Sequence, residues 1–256
     1  CQTLGRPLPR TTALLIKRLK LRPRSPLYES CQGNMKGWGR PTEGTDIWEY
    51  FFGTRRDAVE PGDMTQEQER IIYEAVAATE KIFRLPFVNK TIDTSVRVRA
   101  LAKIFPSASF IQMKRDPVDV VQSIYRIRLK KPGQGYFGAR PQQCRETDGQ
   151  DLIEQVCRQV YYLERNLAYD RSVLGDERFL SVSYRNVCAD PRGQVRRVAK
   201  FMNDGGAPAR VTRRVPPSFE RSHGKKVDGD EYDAIRSRLR KLYGSASVAD
   251  ELHITT

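Results

Sequence analysis

The stretch FIQMKRDPVDVVQSIYRIR, Phe110 to Arg128, forces a change of backbone periodicity at one dipeptide. Phe110 to Met113 is short, partly apolar and strand-like. From Pro117 onward, Val118, Val121, Ile124, Tyr125 and Arg128 fall at helical spacing. Asp116 suits the N-cap, Pro117 the first helical position, and Asp119 the acidic member of a capping box. Lys114 and Arg115 therefore belong at the carboxyl end of a strand, beside a helix start whose free amides attract anions.

The flanking sequence extends this into strand, helix, strand, helix, the order of a parallel crossover in an α/β domain. The pattern predicts helices over Thr45 to Phe52 and Glu67 to Phe83, then a buried strand over Leu85 to Lys90. Asp93 or Thr94 is expected to cap the next helix, with Val98, Leu101, Ala102 and Phe105 inward and Pro106 at its end. Residues 130–149 hold four glycines and two prolines and are expected to form a long surface loop. A long helix is predicted over Asp151 to Leu174 and a strand over Arg178 to Tyr184. Asp190-Pro191 repeats the helix start, and a charged helix runs from about Asp230 to Tyr243. No domain linker stands out, so residues 1–256 are expected to form one domain.

Lys and Arg number 45 against 31 Asp and Glu, a formal charge of +14. That excess favours anionic partners, including nucleotide cofactors and sulfated or phosphorylated substrates. No apolar run approaches the length of a membrane span. No signal-peptide pattern opens the sequence, and Cys1 in place of Met points to processing or trimming. Cysteines 1, 31, 144, 157 and 188 form no close pair or metal cluster, and His223 and His253 do not favour a histidine metal site. A cytoplasmic, reducing setting is expected.

Two longer stretches carry a family resemblance. NKTIDTSVRVRALAKIFPSASFIQMKRDPVDVVQSIYRIR, from Asn89 to Arg128, and RFLSVSYRNVCADPRGQVRRVAKFM, from Arg178 to Met202, resemble sulfotransferases that use 3'-phosphoadenosine 5'-phosphosulfate, PAPS. The WEYFFG stretch also lies at a matching place. The resemblance implies a P-loop-like three-layer α/β fold, with a central mainly parallel sheet flanked by helices, and a nucleotide-binding site. It implies sulfuryl transfer from PAPS, leaving PAP, with no metal. Arg115 and Ser123 would hold the 3'-phosphate. The phosphosulfate loop maps to Pro9, Arg10, Thr11 and Thr12, without the usual Ser-Gly pair. A variant loop, a trimmed sequence and an inactive site all remain open. Tyr184 matches a common tyrosine, and Arg221, Gly224, Lys225 and Lys226 map to a closing phosphate clamp.

The chemistry needs cations facing the leaving oxygen and a base for the acceptor hydroxyl. Arg10 and Lys90 are the candidate cations. Glu29 is the candidate base, with Glu43 as a rival. The acceptor, a hydroxyl on a glycan, peptide tyrosine or small metabolite, is not specified. A P-loop phosphotransferase would want a Walker lysine and a magnesium-binding Asp, and GRPLPRTT lacks that lysine. Dispersed arginines without a recognition motif give no specific nucleic-acid partner. A sulfotransferase-like binding protein without activity is the remaining alternative.

Overall fold

The computed structural model describes residues 14, 18, 48–53, 57–131, 135–146, 149–212 and 214–244, with secondary structure alone at 30–31, 34–35, 45–47 and 147. Two two-residue strands, β1 (Ser30–Cys31) and β2 (Asn34–Met35), pair antiparallel. Helix α1 (Thr45–Phe52) follows, then α2 (Gln66–Phe83), a 3₁₀ turn (Ile92–Val96) and α3 (Val98–Ile104). Strand β3 (Phe110–Lys114) leads into α4 (Pro117–Lys130). A second 3₁₀ turn (Gln142–Thr147) precedes α5 (Leu152–Leu174), and a third (Asp176–Arg178) precedes β4 (Phe179–Ser183). The chain ends its described course with α6 (Tyr184–Ala189), α7 (Pro191–Asp204) and α8 (Gly229–Gly244).

The helix starts follow from their caps. Thr65 and Gln68 form a reciprocal capping box on α2. Asp116, Asp151 and Asp190 each accept a backbone N–H of the first turn, from Val118, Glu154 and Gly193. Both Asp-Pro dipeptides thus open helices as the sequence predicts.

Two apolar clusters hold the helices. Val118 and Val121 of α4 meet Val156, Cys157, Val160 and Tyr161 of α5 and Ile235, Leu239 and Tyr243 of α8. Trp48 of α1, Ile72 of α2, and Leu101 and Ile104 of α3 form the other cluster. Full burial of one such aliphatic side chain contributes about 1.5–3 kcal/mol. Strands β3 and β4 pair in parallel, from Phe110 with Phe179 to Lys114 with Ser183. The Phe110 and Phe179 rings stack at 5.2 Å. Arg178 locks the entry to the pair by donating to the carbonyls of Ala108 (2.9 and 2.8 Å) and Phe105 (3.3 Å).

The expected central sheet is corrected by this arrangement. Among the described residues, β3 and β4 are the only parallel pair, and helix-on-helix packing carries the core. The P-loop-like three-layer class and the nucleotide-binding architecture attached to it are therefore not what these residues form. The predicted strand at Leu85 to Lys90 is absent for a local reason. Arg84 closes α2 in the left-handed region, at φ 54°, with its N–H on the Glu80 carbonyl. Pro86 has no N–H to give a ladder, and the Phe87 N–H goes to the Glu80 carboxylate at 2.7 Å. Leu85 and Val88 consequently stay exposed.

Three smaller expectations also change. Asp93 and Thr94 sit inside the 3₁₀ turn, and Arg97 occupies the N-cap position of α3 without a capping hydrogen bond from its side chain. Asp119 is buried, with its carboxylate 3.9 Å from Arg115. The 130–149 stretch is not wholly superficial: Ala139 and Cys144 are fully buried, and Gln159 of α5 donates to the carbonyls of Phe137 (2.9 Å) and Ala139 (2.7 Å).

Candidate anion-binding site

The junction between β3 and α4 carries Arg115 outward at the strand end. Its guanidinium donates through Nη2 to the Ser222 carbonyl at 2.7 Å and lies over the Tyr184 ring, 4.5 Å from the centroid. Tyr184 opens α6, directly after β4, so the parallel register brings it beside the end of β3. Its hydroxyl accepts the Ser222 N–H at 3.2 Å. Residues 221–226 are thereby strapped across the junction.

Gln122 holds the other end of the strap. Fully buried on α4, it donates to the Gly224 carbonyl at 3.2 Å and accepts the Lys226 N–H at 2.7 Å. Gly224 takes φ +85°, a turn that a side chain at this position would strain. Further along, the Tyr125 hydroxyl donates to Glu231 at 2.7 Å, and the second Glu231 oxygen accepts the Asp228 N–H at 3.2 Å. Burial, then Glu231, pushes the Tyr125 phenol up to about 12, which keeps it a donor.

The electrostatics are cationic and partly unsatisfied. The Lys226 ammonium donates to the Ser222 hydroxyl at 2.7 Å. Burial lowers its pKa; Asp119 opposes that shift, while Arg115 and Arg126 add to it. Arg115 Nε, 3.9 Å from the Asp119 carboxylate, and Arg221 Nε are both buried and make no hydrogen bond. A buried donor left unmade costs about 1–3 kcal/mol, so such atoms fit an anion placed against them.

The structure thus gathers Arg115, Tyr184, Arg221 and Gly224 at one place. Lys225 is exposed on the same strap. Ser123 is half-buried on α4, next to Gln122. Lys90 stands apart, exposed on the irregular segment whose Asn89 accepts the Trp48 indole N–H at 2.9 Å. Pro9, Arg10, Thr11, Thr12, Glu29 and Glu43 lie outside the described residues. Sequence reading did not single out Gln122, and it gave Asp119 a capping role rather than a place beside Arg115. The available signal was Gln122 within the inward helical series Val118, Val121, Tyr125, a polar group that must find partners when buried. Among the described residues no group of three or more His, Cys, Asp and Glu is placed to hold a metal.

A separate cleft of about 530 Å³ lies between α3 and α5, bordered by Glu60, Arg99, Tyr162, Arg165, Tyr169 and Asp170. None of the expected site residues lines it.

The profile of the sulfotransferase family matches residues 30–203, a span that includes the β3–α4 junction and Tyr184. The chain belongs to the sulfotransferase family. Two curated relatives, the omega-hydroxy-beta-dihydromenaquinone-9 sulfotransferases Stf3 of Mycobacterium bovis and Mycobacterium tuberculosis, are each 32% identical over 111 residues. The match covers 43% of this chain and 27% of each relative. No solved structure matches. No described helix is long and apolar enough to cross a membrane.

Proposed function

We propose that this member of the sulfotransferase family transfers the sulfuryl group of PAPS to an acceptor hydroxyl, within a single domain. The observation that supports this reading is the gathering of Arg115 and Arg221 on the strand-end junction and its strap, each with a buried Nε that makes no hydrogen bond. Arg115, Ser123 and Tyr184 form the 3'-phosphate side, with Arg221, Gly224 and Lys225 closing over it. Pro9, Arg10, Thr11, Thr12 and Lys90 serve the sulfuryl end, and Glu29 takes the acceptor proton. PAPS supplies the transferable group: the acceptor oxygen bonds to sulfur, the bond from sulfur to the 5'-phosphate oxygen breaks, and PAP leaves. The omega-hydroxy acceptor in the relatives' name supports an alcohol as the acceptor class. The missing Ser-Gly pair beside Arg10 favours one second reading, a family member that binds the donor without turnover.

Calorimetry with PAP and with 5'-AMP tests the assignment. Arg115→Ala is expected to weaken PAP binding roughly 10- to 100-fold, the loss of a charged phosphate hydrogen bond, and to leave AMP nearly unchanged. Equal losses for the two ligands remove Arg115 from the 3'-phosphate. Glu29→Gln is expected to slow single-turnover transfer about 10²–10⁴-fold while PAP affinity holds. Near-normal transfer by that variant rejects Glu29 as the base.

A further inference from the structure

Helix α7 and the segment after it form a cationic surface that the transfer reaction does not use. Arg192, Val195, Arg196, Lys200 and Asn203 share one face by helical spacing, and all five are exposed. The following segment returns along that face. The Asn203 side chain donates to the Ala209 carbonyl and accepts the Ala209 N–H, both at 3.0 Å. Arg192 Nε donates to the Val215 carbonyl at 2.9 Å, and the Phe219 N–H reaches the Cys188 carbonyl at 2.8 Å. Eleven helical residues from 192 to 203 span about 16 Å. Ala209 is held at Asn203 and Val215 at Arg192, so the returning chain runs antiparallel along the same face.

The outcome is a surface in which charge and apolar side chains alternate. Arg196, Arg210 and Arg214 are exposed, and so are Val195 (38%), Val211 (47%) and Phe219 (38%). The cations outnumber the nearby acids. Asp190 is spent on the α7 cap, Asp204 pairs with Lys200 at 2.6 Å, and Glu220 lies past the end of the segment.

We propose that this face docks on an anionic phospholipid bilayer. Two observations select a bilayer. The cations match a negative lipid surface, each worth severalfold in partitioning. The interspersed Val195, Val211 and Phe219 offer apolar groups that can enter the headgroup boundary. A nucleic-acid groove would instead interleave base-stacking aromatics with the cations, and the face carries only Phe219. The proposal is independent of the acceptor and of sulfuryl transfer.

Sedimentation of the full chain with phosphatidylcholine vesicles, with and without 30% phosphatidylglycerol, tests it. Strong binding is expected only to the anionic vesicles, falling as salt rises. Arg196→Ala/Arg210→Ala is expected to reduce partitioning about 25-fold, roughly fivefold per cation. Val211→Ser/Phe219→Ser, which leaves the charge intact, is expected to reduce it several-fold. Lys81→Ala/Arg84→Asn on α2 makes the same change in net charge and is expected to leave it within twofold. Circular dichroism checks that each variant is folded, and PAP affinity is expected to hold in all of them. Equal loss in the α2 variant reduces the effect to net charge and overturns the proposal. Equal binding to neutral vesicles or no vesicle binding does the same, and tight binding of a 20-nucleotide RNA without vesicle binding replaces the bilayer by nucleic acid.

Discussion

Asp170 shows how one residue can set a pH dependence. It lies on α5, buried, 3.0 Å from Arg99 Nε, while Arg99 Nη2 reaches Glu60 at 2.6 Å. Burial raises the Asp170 carboxyl to about 6, Glu60 adds to the shift, and Arg99 opposes it. The folded chain therefore holds this proton more tightly than the unfolded chain does. Its contribution to stability is full below about pH 4 and is lost as pH rises to about 6, by about 3 kcal/mol. Asp170→Asn removes this titration. Urea unfolding from pH 4 to 6.5 is expected to give a stability difference, wild type minus variant, that falls across the window. A flat or rising difference contradicts the shift. At the same scale, the sequence exposed the roles of Asp116 and Pro117 because capping is local. It concealed Gln122, whose partners Gly224 and Lys226 lie about a hundred positions away.

Elements were legible where their signal was local and misread where a neighbour intervened. The spans of α1, α2, α5 and α8 follow from their apolar spacing and caps to within a residue or two. Leu85 to Lys90 has the composition of a buried strand, yet Glu80 captures the Phe87 N–H and Pro86 offers none. A strand needs a partner for its backbone, and composition does not supply one. The 135–141 stretch was misread for the converse reason: a distant glutamine satisfies its carbonyls and makes burial affordable. Gln159→Leu keeps the bulk and leaves the Phe137 and Ala139 carbonyls unpaired. It is expected to cost about 1–3 kcal/mol for each carbonyl left buried. Hydrogen exchange is expected to show lost protection at residues 135–147 and little change at β3 and β4. Unchanged exchange in that stretch would show that Gln159 does not pin it.

At the scale of the molecule, the sequence showed that strands and helices alternate but not how many strands meet. Pairing is a long-range choice, and the described residues direct their apolar surface into two helical clusters instead. The phosphate-side candidates Arg115, Tyr184, Arg221 and Gly224 converge nonetheless, because the junction, the β4 register and the strap are set by caps, one strand pair and Gln122. The two clusters are not equivalent for the site. The α4, α5 and α8 cluster holds the helix that continues from the strap, whereas the α1, α2 and α3 cluster touches none of the strap's anchors. Leu239 and Ile72 are both almost fully buried, at 1% and 0% exposure, and each truncation to alanine is expected to cost about 2–5 kcal/mol. Their effects on binding are expected to differ. Leu239→Ala loosens α8, so ordering residues 221–226 over Arg115 takes more of the binding free energy. PAP affinity is expected to drop about tenfold, equivalent to about 1.4 kcal/mol. Ile72→Ala, equally destabilised, is expected to bind PAP within twofold of wild type. Calorimetry at a temperature where both variants remain folded measures the contrast. Equal affinities in the two variants would mean that the strap is held by Gln122, Tyr184 and Arg115 alone, with no contribution from the helix behind it.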